Sequence, residues 1–456
     1  MALWLSGAAL LACFVLSLMF AQERILNTDS SAFFFNLVNS EWPSVAEQRY
    51  SAAIPQFLPY VFLKLGASLK TILYVFSASY IVLYALVFGL IQFVLVQAKA
   101  AIALVLSLLL GVAHSFYHPV TETHQAIAWS ILFYACLGSN QTKIKVILLG
   151  VLSFTFAIFS HPAAVFMLAF SLAWHIIETR TFRKIIPYLG ILGLAIFSVL
   201  RSKLNEGNYD AAQYNNLYEA LSNYRLFFKW NSISFLIQRP QLYIWPILLT
   251  LLSIAYFWHQ KSFLKIVGLI LAAIGFTALA AATFYHGDSQ MMMEKAYMPT
   301  FTMIAIASSS MFFRDKVIAK FVLLFLTVFY AFTLWQINLV GYKEFRPRLL
   351  AIDKLVEKSI QLKQYKLVAK QEAAPAIWRG YWWATAADVL MRSTIEKGTS
   401  ITLYLYQENE TLAYAQQPEA FLYTNWWRDR KVSELNPRFF KFSINPYDSI
   451  NLSTYE

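Results

Sequence analysis

The chain has 456 residues, of which 58 % are hydrophobic, 17 % aromatic and only 14 % charged, and its mean hydropathy is +0.51. A soluble domain carries nearer a quarter charged residues, so a soluble globular fold is excluded and an all-α polytopic membrane protein is expected. The net charge of +12 is scattered over loops, with no basic arm and no nucleic-acid module, so nucleic acid is excluded as a partner.

Apolar runs of about twenty residues, each enough to cross a ~30 Å hydrocarbon core, predict about eleven transmembrane helices. The first covers 3–21. No Lys or Arg precedes it and its apolar run continues past Cys13, so it reads as a retained helix and not as a secretory or lipoprotein signal. Cys13 and Cys136 lie inside apolar runs and imply no disulfide framework. A polar loop with Asp29 follows, then a short segment at 55–66 that lies along or dips into the surface. Further helices are expected at 70–96, 100–117, 121–137, 146–160, 163–177 and 185–200. After a long polar loop to Gln241 come 242–258, 264–284, 296–313 and 320–340.

Short loops after the even-numbered helices are basic: Lys99, Lys143 and Lys145, Arg180 to Lys184, Lys261 and Lys265, then Arg314 to Lys320. The positive-inside rule puts these loops and the N-terminus in the cytoplasm. The other loops and the C-terminal tail are then extracytoplasmic. Most histidines and loop acids fall on that outer side, so any chemistry is expected there.

Two domains are expected, 1–341 in the membrane and 342–456 outside it. In the second, 346–364 and 384–395 read as helices, and 365–369, 399–406 and 439–444 as strands, giving a small α+β domain. Its residues Trp378, Trp382, Trp383, Trp426 and Trp427 either pack its core, touch lipid headgroups or stack on sugar rings. The domain is also a candidate surface for a partner protein.

The stretch 23–49 puts a carboxylate, Asp29, beside the membrane edge. Phe33, Phe34 and Phe35 follow and would lay this loop on the bilayer; Glu41, Glu47 and Arg49 close it. The densest polar cluster is 118–125, HPVTETHQ. His118 and Glu122 at a helix N-terminus suit an anion or a sugar, because free N–H groups add positive potential there. With His124 they are candidate ligands for a divalent metal, and a polar helix cap is the third reading. At His161-Pro162 a helix breaks, and the imidazole either satisfies a carbonyl or contacts a ligand. Gly287-Asp288 is a turn signal, with His286 and Lys295 as candidate phosphate contacts. Glu294-Lys295 at the bilayer edge is costly unless paired or functional. In 202–241, tyrosines such as Tyr218 and Tyr224 mix with Arg225 and Lys229, either as a sugar and phosphate surface or as an amphipathic lid on the membrane.

Together these features resemble the GT-C superfamily of membrane glycosyltransferases. A short first helix is followed at once by a loop with an acid, Asn27-Thr28-Asp29-Ser30. A Pro-aromatic segment, Pro55-Gln56-Phe57-Leu58-Pro59-Tyr60, then runs through Lys64-Leu65-Gly66 into a long helix. The helix number and the outer C-terminal domain also fit. The match covers 1–340 as architecture and 20–100 as motif, and the cluster 118–125 has no counterpart in it. The resemblance implies a polyprenyl-phosphate sugar donor entering from membrane lipid, an extracytoplasmic acceptor and a bacterial inner-membrane location. It implies Asp29 as general base toward the acceptor hydroxyl, or as a helper in binding a divalent metal. Arg24, Arg49 and Lys295 are the candidate cations for the leaving phosphate, with Arg201 and Arg225 behind them. Among the residues named, Asp29 is the catalytic candidate; His118, Glu122, His124, His161, His286, Asp288 and Glu294 are candidate substrate contacts. The alternative is a transporter or non-catalytic membrane component that binds a ligand or partner protein at its external face.

Overall fold

Apolar side chains stand exposed on helix after helix, and this sets the architecture. The computed structural model describes residues 1–139, 144–180, 209–287, 289–313, 316–379, 382–407, 414–423, 430–442 and 444–452, together with Gly193. The helix expected at 185–200 lies outside them apart from that glycine, as do Lys143, Arg183, Lys184, Arg201, Asp288, Arg314, Trp426 and Trp427.

Five described helices are long and apolar enough to cross a bilayer: Ala2–Met19, Leu69–Val94, Pro240–His259, Phe263–Thr283 and the long Lys320–Leu362 element. Three more, Ala98–Leu109, Ile144–Ile158 and Ala164–Thr179, are apolar but shorter. The outer helices bury only a stripe. In Phe263–Thr283 just 22 % of the most apolar window is buried, and Leu271 and Ile274 are open. So much exposed apolar surface calls for lipid rather than water as the surrounding medium. At the centre, Ala98–Leu109, Glu122–Gly138 and Gln290–Ser308 are buried on almost every side.

The sequence pattern overran the third helix. The one expected at 100–117 stops at Leu109, because Gly111 turns the chain with a φ of +68°. A Cβ there would enter the Phe301 ring, so glycine is required for both reasons. Residues 110–121 fold back over the bundle end as a loop with one short turn, Ser115–Tyr117.

The stretch expected as a loop around Asp29 is helical: Ala21–Ile25, then Thr28–Ser40. Phe33, Phe34 and Phe35 do not face lipid; all three are buried. Phe34 packs edge-on against Phe76, ring centroids 5.4 Å apart. Phe35 stacks on Tyr423 at 4.5 Å and lies 5.6 Å from Phe440. A folded domain is available to cover these rings, and burial there outweighs an interfacial position. The segment expected along the surface is the helix Ala53–Lys64, packed on the one that follows it.

The helix Lys316–Val340 passes through a π-turn, Gly341–Phe345, into Arg346–Leu362 with no linker. The C-terminal region is built on a parallel sheet. Strand β1, Lys366–Lys370, pairs with β2, Thr402–Tyr406, in register Lys366 with Thr402. The helix Thr385–Lys397 makes the crossover that parallel pairing requires. After a small antiparallel pair, β3 (Ala420–Phe421) and β4 (Arg430–Lys431), strand β5 (Asp448–Ser449) adds to the free edge of β1. Among the described residues of 439–444, the expected strand does not form. Phe439 and Phe440 turn back onto the Asn436 carbonyl, and Phe440 drops into the core beside Phe35.

This domain is bolted to the Thr28–Ser40 helix. Arg348 pairs with Asp388, both buried, and also reaches Asn27 Oδ1 at 3.4 Å. Arg346 meets Glu23 at 2.9 Å. Asn436 donates to Val38 O, and Arg438 donates to Leu63 O and Ala67 O. Removing one partner of a buried ion pair costs about 3–5 kcal/mol. Arg348→Met is therefore expected to lower the thermal unfolding midpoint in detergent sharply. Arg348→Met with Asp388→Leu should recover most of the loss, and equal loss in both would contradict the pairing.

Candidate active site

Asp29 is the second residue of its helix, where the N-terminal dipole favours a carboxylate. Its side chain is 56 % exposed, while the His118 side chain beside it is only 3 % exposed. It therefore stands where a buried polar cluster opens to solvent. Thr28 beside it holds φ at +51°. For a β-branched residue that is strained by about 1–3 kcal/mol.

His118 lies behind the carboxylate. Its Nε2 is 3.3 Å from Asp29 Oδ2, off the alignment of an ordinary hydrogen bond. On the other side of the ring, Nδ1 accepts from Lys295 Nζ at 2.6 Å. An ammonium only donates, so Nδ1 offers its lone pair and the ring proton sits on Nε2, facing Asp29. Three residues far apart in sequence thus form one line, ammonium to imidazole to carboxylate.

Glu294 sets that line. Fully buried, it accepts from the backbone N–H groups of Ala113, His114 and Ser115 at 2.9, 3.1 and 2.7 Å, and from Ser115 Oγ at 2.8 Å. This nest ties the 110–121 loop to the start of Gln290–Ser308 and brings His118 beside Lys295. Glu294 is thus a fastening and not the substrate contact expected. Arg24 differs from expectation in the same way. It is buried, donates to Phe116 O at 3.0 Å and Ser77 O at 3.1 Å, and lies on the Phe116 ring. A leaving phosphate has no access to it.

Arg49 and Glu122 form an ion pair at 3.2 Å. The charges of Asp29, Glu122 and Arg49 all act on Lys295, and those of Arg49 and Lys295 act on His161. So Asp29, His118, Glu122, Arg49, Lys295 and His161 belong to one cluster. His161 Nδ1 accepts from Ala163 N at 3.1 Å, just ahead of the helix that follows the break. His124 is buried inside the bundle behind them, and Tyr84 donates to its carbonyl at 2.6 Å. His286 stays apart: it is exposed and packs on Tyr285, centroids 3.7 Å. Asp288 lies outside the described residues.

Among the described residues, no three His, Cys, Asp or Glu side chains come together to hold a metal ion. An ammonium 2.6 Å from His118 also opposes a dication at that nitrogen.

Compared with known protein families, curated proteins and solved structures, the chain matches none. The chemistry of the cleft rests on its own groups. Burial opposes the charge on Asp29, but the His118 N–H, the Lys295 charge and the indole of Trp383 outweigh it and hold the carboxyl down at about 2. Burial and the charge of Lys295 push His118 below its ordinary value, against the pull of Asp29. At neutral pH the cleft presents a fixed anion, a neutral imidazole donor, the Lys295 cation and the ion pair of Arg49 with Glu122. Such a set can hold a hydroxyl on Asp29 and an anion nearby.

Trp383, from the C-terminal domain, gave no sequence signal that could link it to Asp29. Among the described residues, buried polar atoms without a partner include Thr28 Oγ1 and Ser30 Oγ beside Asp29, both amide atoms of Gln125 on the helix of Glu122, and Tyr80 Oη on Leu69–Gly89. Thr28, Ser30 and Gln125 stand next to residues the pattern did single out.

Two outcomes follow from these contacts. In protein carrying 15N-histidine, His118 is expected as the Nε2–H tautomer. Lys295→Met should populate Nδ1–H and raise the pH at which the ring protonates; an unchanged spectrum would refute the lysine's role. For His114, burial pushes the ring down, but Glu294 at 3.2 Å and Glu344 at 2.8 Å outweigh it and hold it up at about 9. A raised value means the stabilisation is complete below about 6.5, the ordinary histidine value, and is lost as pH rises through about 9. The unfolding midpoint should fall across that window, and His114→Gln should flatten the slope.

Proposed function

We propose that the protein is an integral membrane glycosyltransferase. It moves a sugar from a polyprenyl-phosphate-type lipid donor to an acceptor in the cleft, with Asp29 as general base. The observation that carries this reading is a solvent-open carboxylate beside a buried His118, in a protein with apolar helices long enough to cross a bilayer, with Lys295 and Arg49 in the same cluster. The resemblance to the GT-C superfamily supports the same assignment. On this reading the cleft and the C-terminal domain face the extracytoplasmic side of a bacterial inner membrane, and the N-terminus lies in the cytoplasm.

The acceptor hydroxyl hydrogen-bonds to Asp29. As the bond from the sugar carbon to the phosphate oxygen breaks, its electron pair leaves with the phosphate, and Lys295 and Arg49 offset the charge. The acceptor oxygen bonds to the sugar carbon from the opposite face, with inversion, and its proton passes to Asp29. A carboxyl held at about 2 is a weak base. It takes the proton only once attack has made the hydroxyl acidic, so proton transfer is late. His118 already carries a proton on Nε2 and cannot pass this one inward; it orients Asp29 instead.

The second reading is a transporter or a non-catalytic component that binds a ligand or partner protein at the same cleft. The observation on its side is the ionisable pair Glu294-Lys295 within the Gln290–Ser308 helix. Reconstitution in vesicles with polyprenyl-phosphate sugars and candidate acceptors separates the two. Asp29→Asn is expected to lower transfer by about 10²–10⁴-fold while native mass spectrometry still shows the lipid donor bound. Full activity in that variant would sink the base assignment. Donor binding without transfer by the unaltered protein would favour the second reading.

A further inference from the structure

The segment ahead of Pro240 exposes more large apolar surface than a connector needs. Leu221 and Tyr224 are open, and Phe228 is 83 % exposed. Arg225 and Lys229, also exposed, stand among them. The segment is firmly anchored. Trp230 packs against Tyr285, ring centroids 6.1 Å apart, and Asn231 N donates to Tyr285 O at 3.0 Å. Ser232 Oγ donates to Ala281 O at 2.8 Å, and Tyr297 Oη donates to Ser232 O at 2.9 Å. It is thus fixed where Phe263–Thr283 ends and Pro240–His259 begins, two helices apolar enough to cross a bilayer.

Depth follows from helix length. Pro240–His259 has 20 residues, which at ~1.5 Å per residue is ~30 Å, the thickness of a hydrocarbon core. At its far end Trp258, 65 % exposed, meets Phe263 with centroids 5.4 Å apart, beside Lys261 and Lys265. Two exposed sets of aromatic and basic residues, one bilayer thickness apart, mark the two membrane interfaces.

We infer that 221–229 is a lip that dips into the leaflet at the cleft end of the bundle. Leu221, Tyr224 and Phe228 enter the acyl boundary, and Arg225 and Lys229 engage the phosphates of anionic phospholipids. The lip shares the cleft's end because Tyr297, which holds Ser232, follows Lys295 closely on one helix. This holds whatever reaction the cleft performs.

Phe228→Cys in a Cys13→Ala, Cys136→Ala background, labelled with an environment-sensitive fluorophore, tests it in phosphatidylcholine nanodiscs with and without phosphatidylglycerol. Brominated acyl chains should remove most of the fluorescence, and aqueous iodide should remove little. Phosphatidylglycerol should deepen the lipid quenching. Arg225→Gln with Lys229→Gln should abolish that increment, each charge being worth roughly fivefold in occupancy of an anionic surface. Quenching by iodide but not by brominated lipid would overturn the lip. Protection from both would also overturn it, because protein would then cover the patch. Equal quenching in both lipid compositions would overturn the headgroup contact. A second probe at Leu221→Cys keeps the test readable if Phe228→Cys disturbs folding.

Discussion

Burial of Phe34 and Phe35 is the constraint on which the cleft depends. A helix as short as Thr28–Ser40 is marginal on its own and must be held by its neighbours. Phe34 commits it to the bundle through Phe76, and Phe35 commits it to the C-terminal domain through Tyr423 and Phe440. Each buried ring contributes about 1.5–3 kcal/mol. Asp29 projects from the first turn of this clamped helix, so its position is fixed from two sides. The C-terminal domain is half of the socket, and its Trp383 adds to what holds the carboxyl down.

The ionisable groups near the cleft divide by what their polar atoms face. Glu294 accepts from three consecutive backbone N–H groups, and Arg24 donates to two backbone carbonyls. A charge satisfied by backbone in this way fixes a loop and is closed to a ligand. Asp29, Lys295 and Arg49 pair instead with side chains, which can exchange partners. His118 joins the two sets. Its loop is fastened by Glu294, and its ring spans Lys295 and Asp29.

Much of this was legible in the sequence, and the reasons for the failures are physical. Long apolar runs located the helices to within a few residues, as in Pro240–His259 and Phe263–Thr283. Hydropathy does not register where a chain folds back, so it carried the third helix past Leu109 and through the Gly111 turn. The polar cluster at 118–125 and the acid at 29 were visible because polar residues are rare beside membrane helices. Their meeting with Lys295 was not, because the Glu294 nest that causes it is tertiary. The aromatic triplet looks lipid-facing in the sequence because sequence cannot separate a ring buried in protein from one buried in acyl chains. Strand alternation located β1 and β2 but also predicted one at 439–444, where the aromatic spacing comes from a turn.

The clamp on the Thr28–Ser40 helix also has a history in time. Asn436 bonds Val38 and Asn39 across sequence separations of 398 and 397 residues. At a synthesis rate of ~5–20 residues per second, roughly 20–80 s separate the emergence of the two partners. Throughout that interval Phe35 has no protein stack, and the aromatic triplet stays available to lipid or to a chaperone. Placement of Asp29 is therefore among the last events of biogenesis, and a chain released before its final strand carries the carboxylate without the socket that positions it.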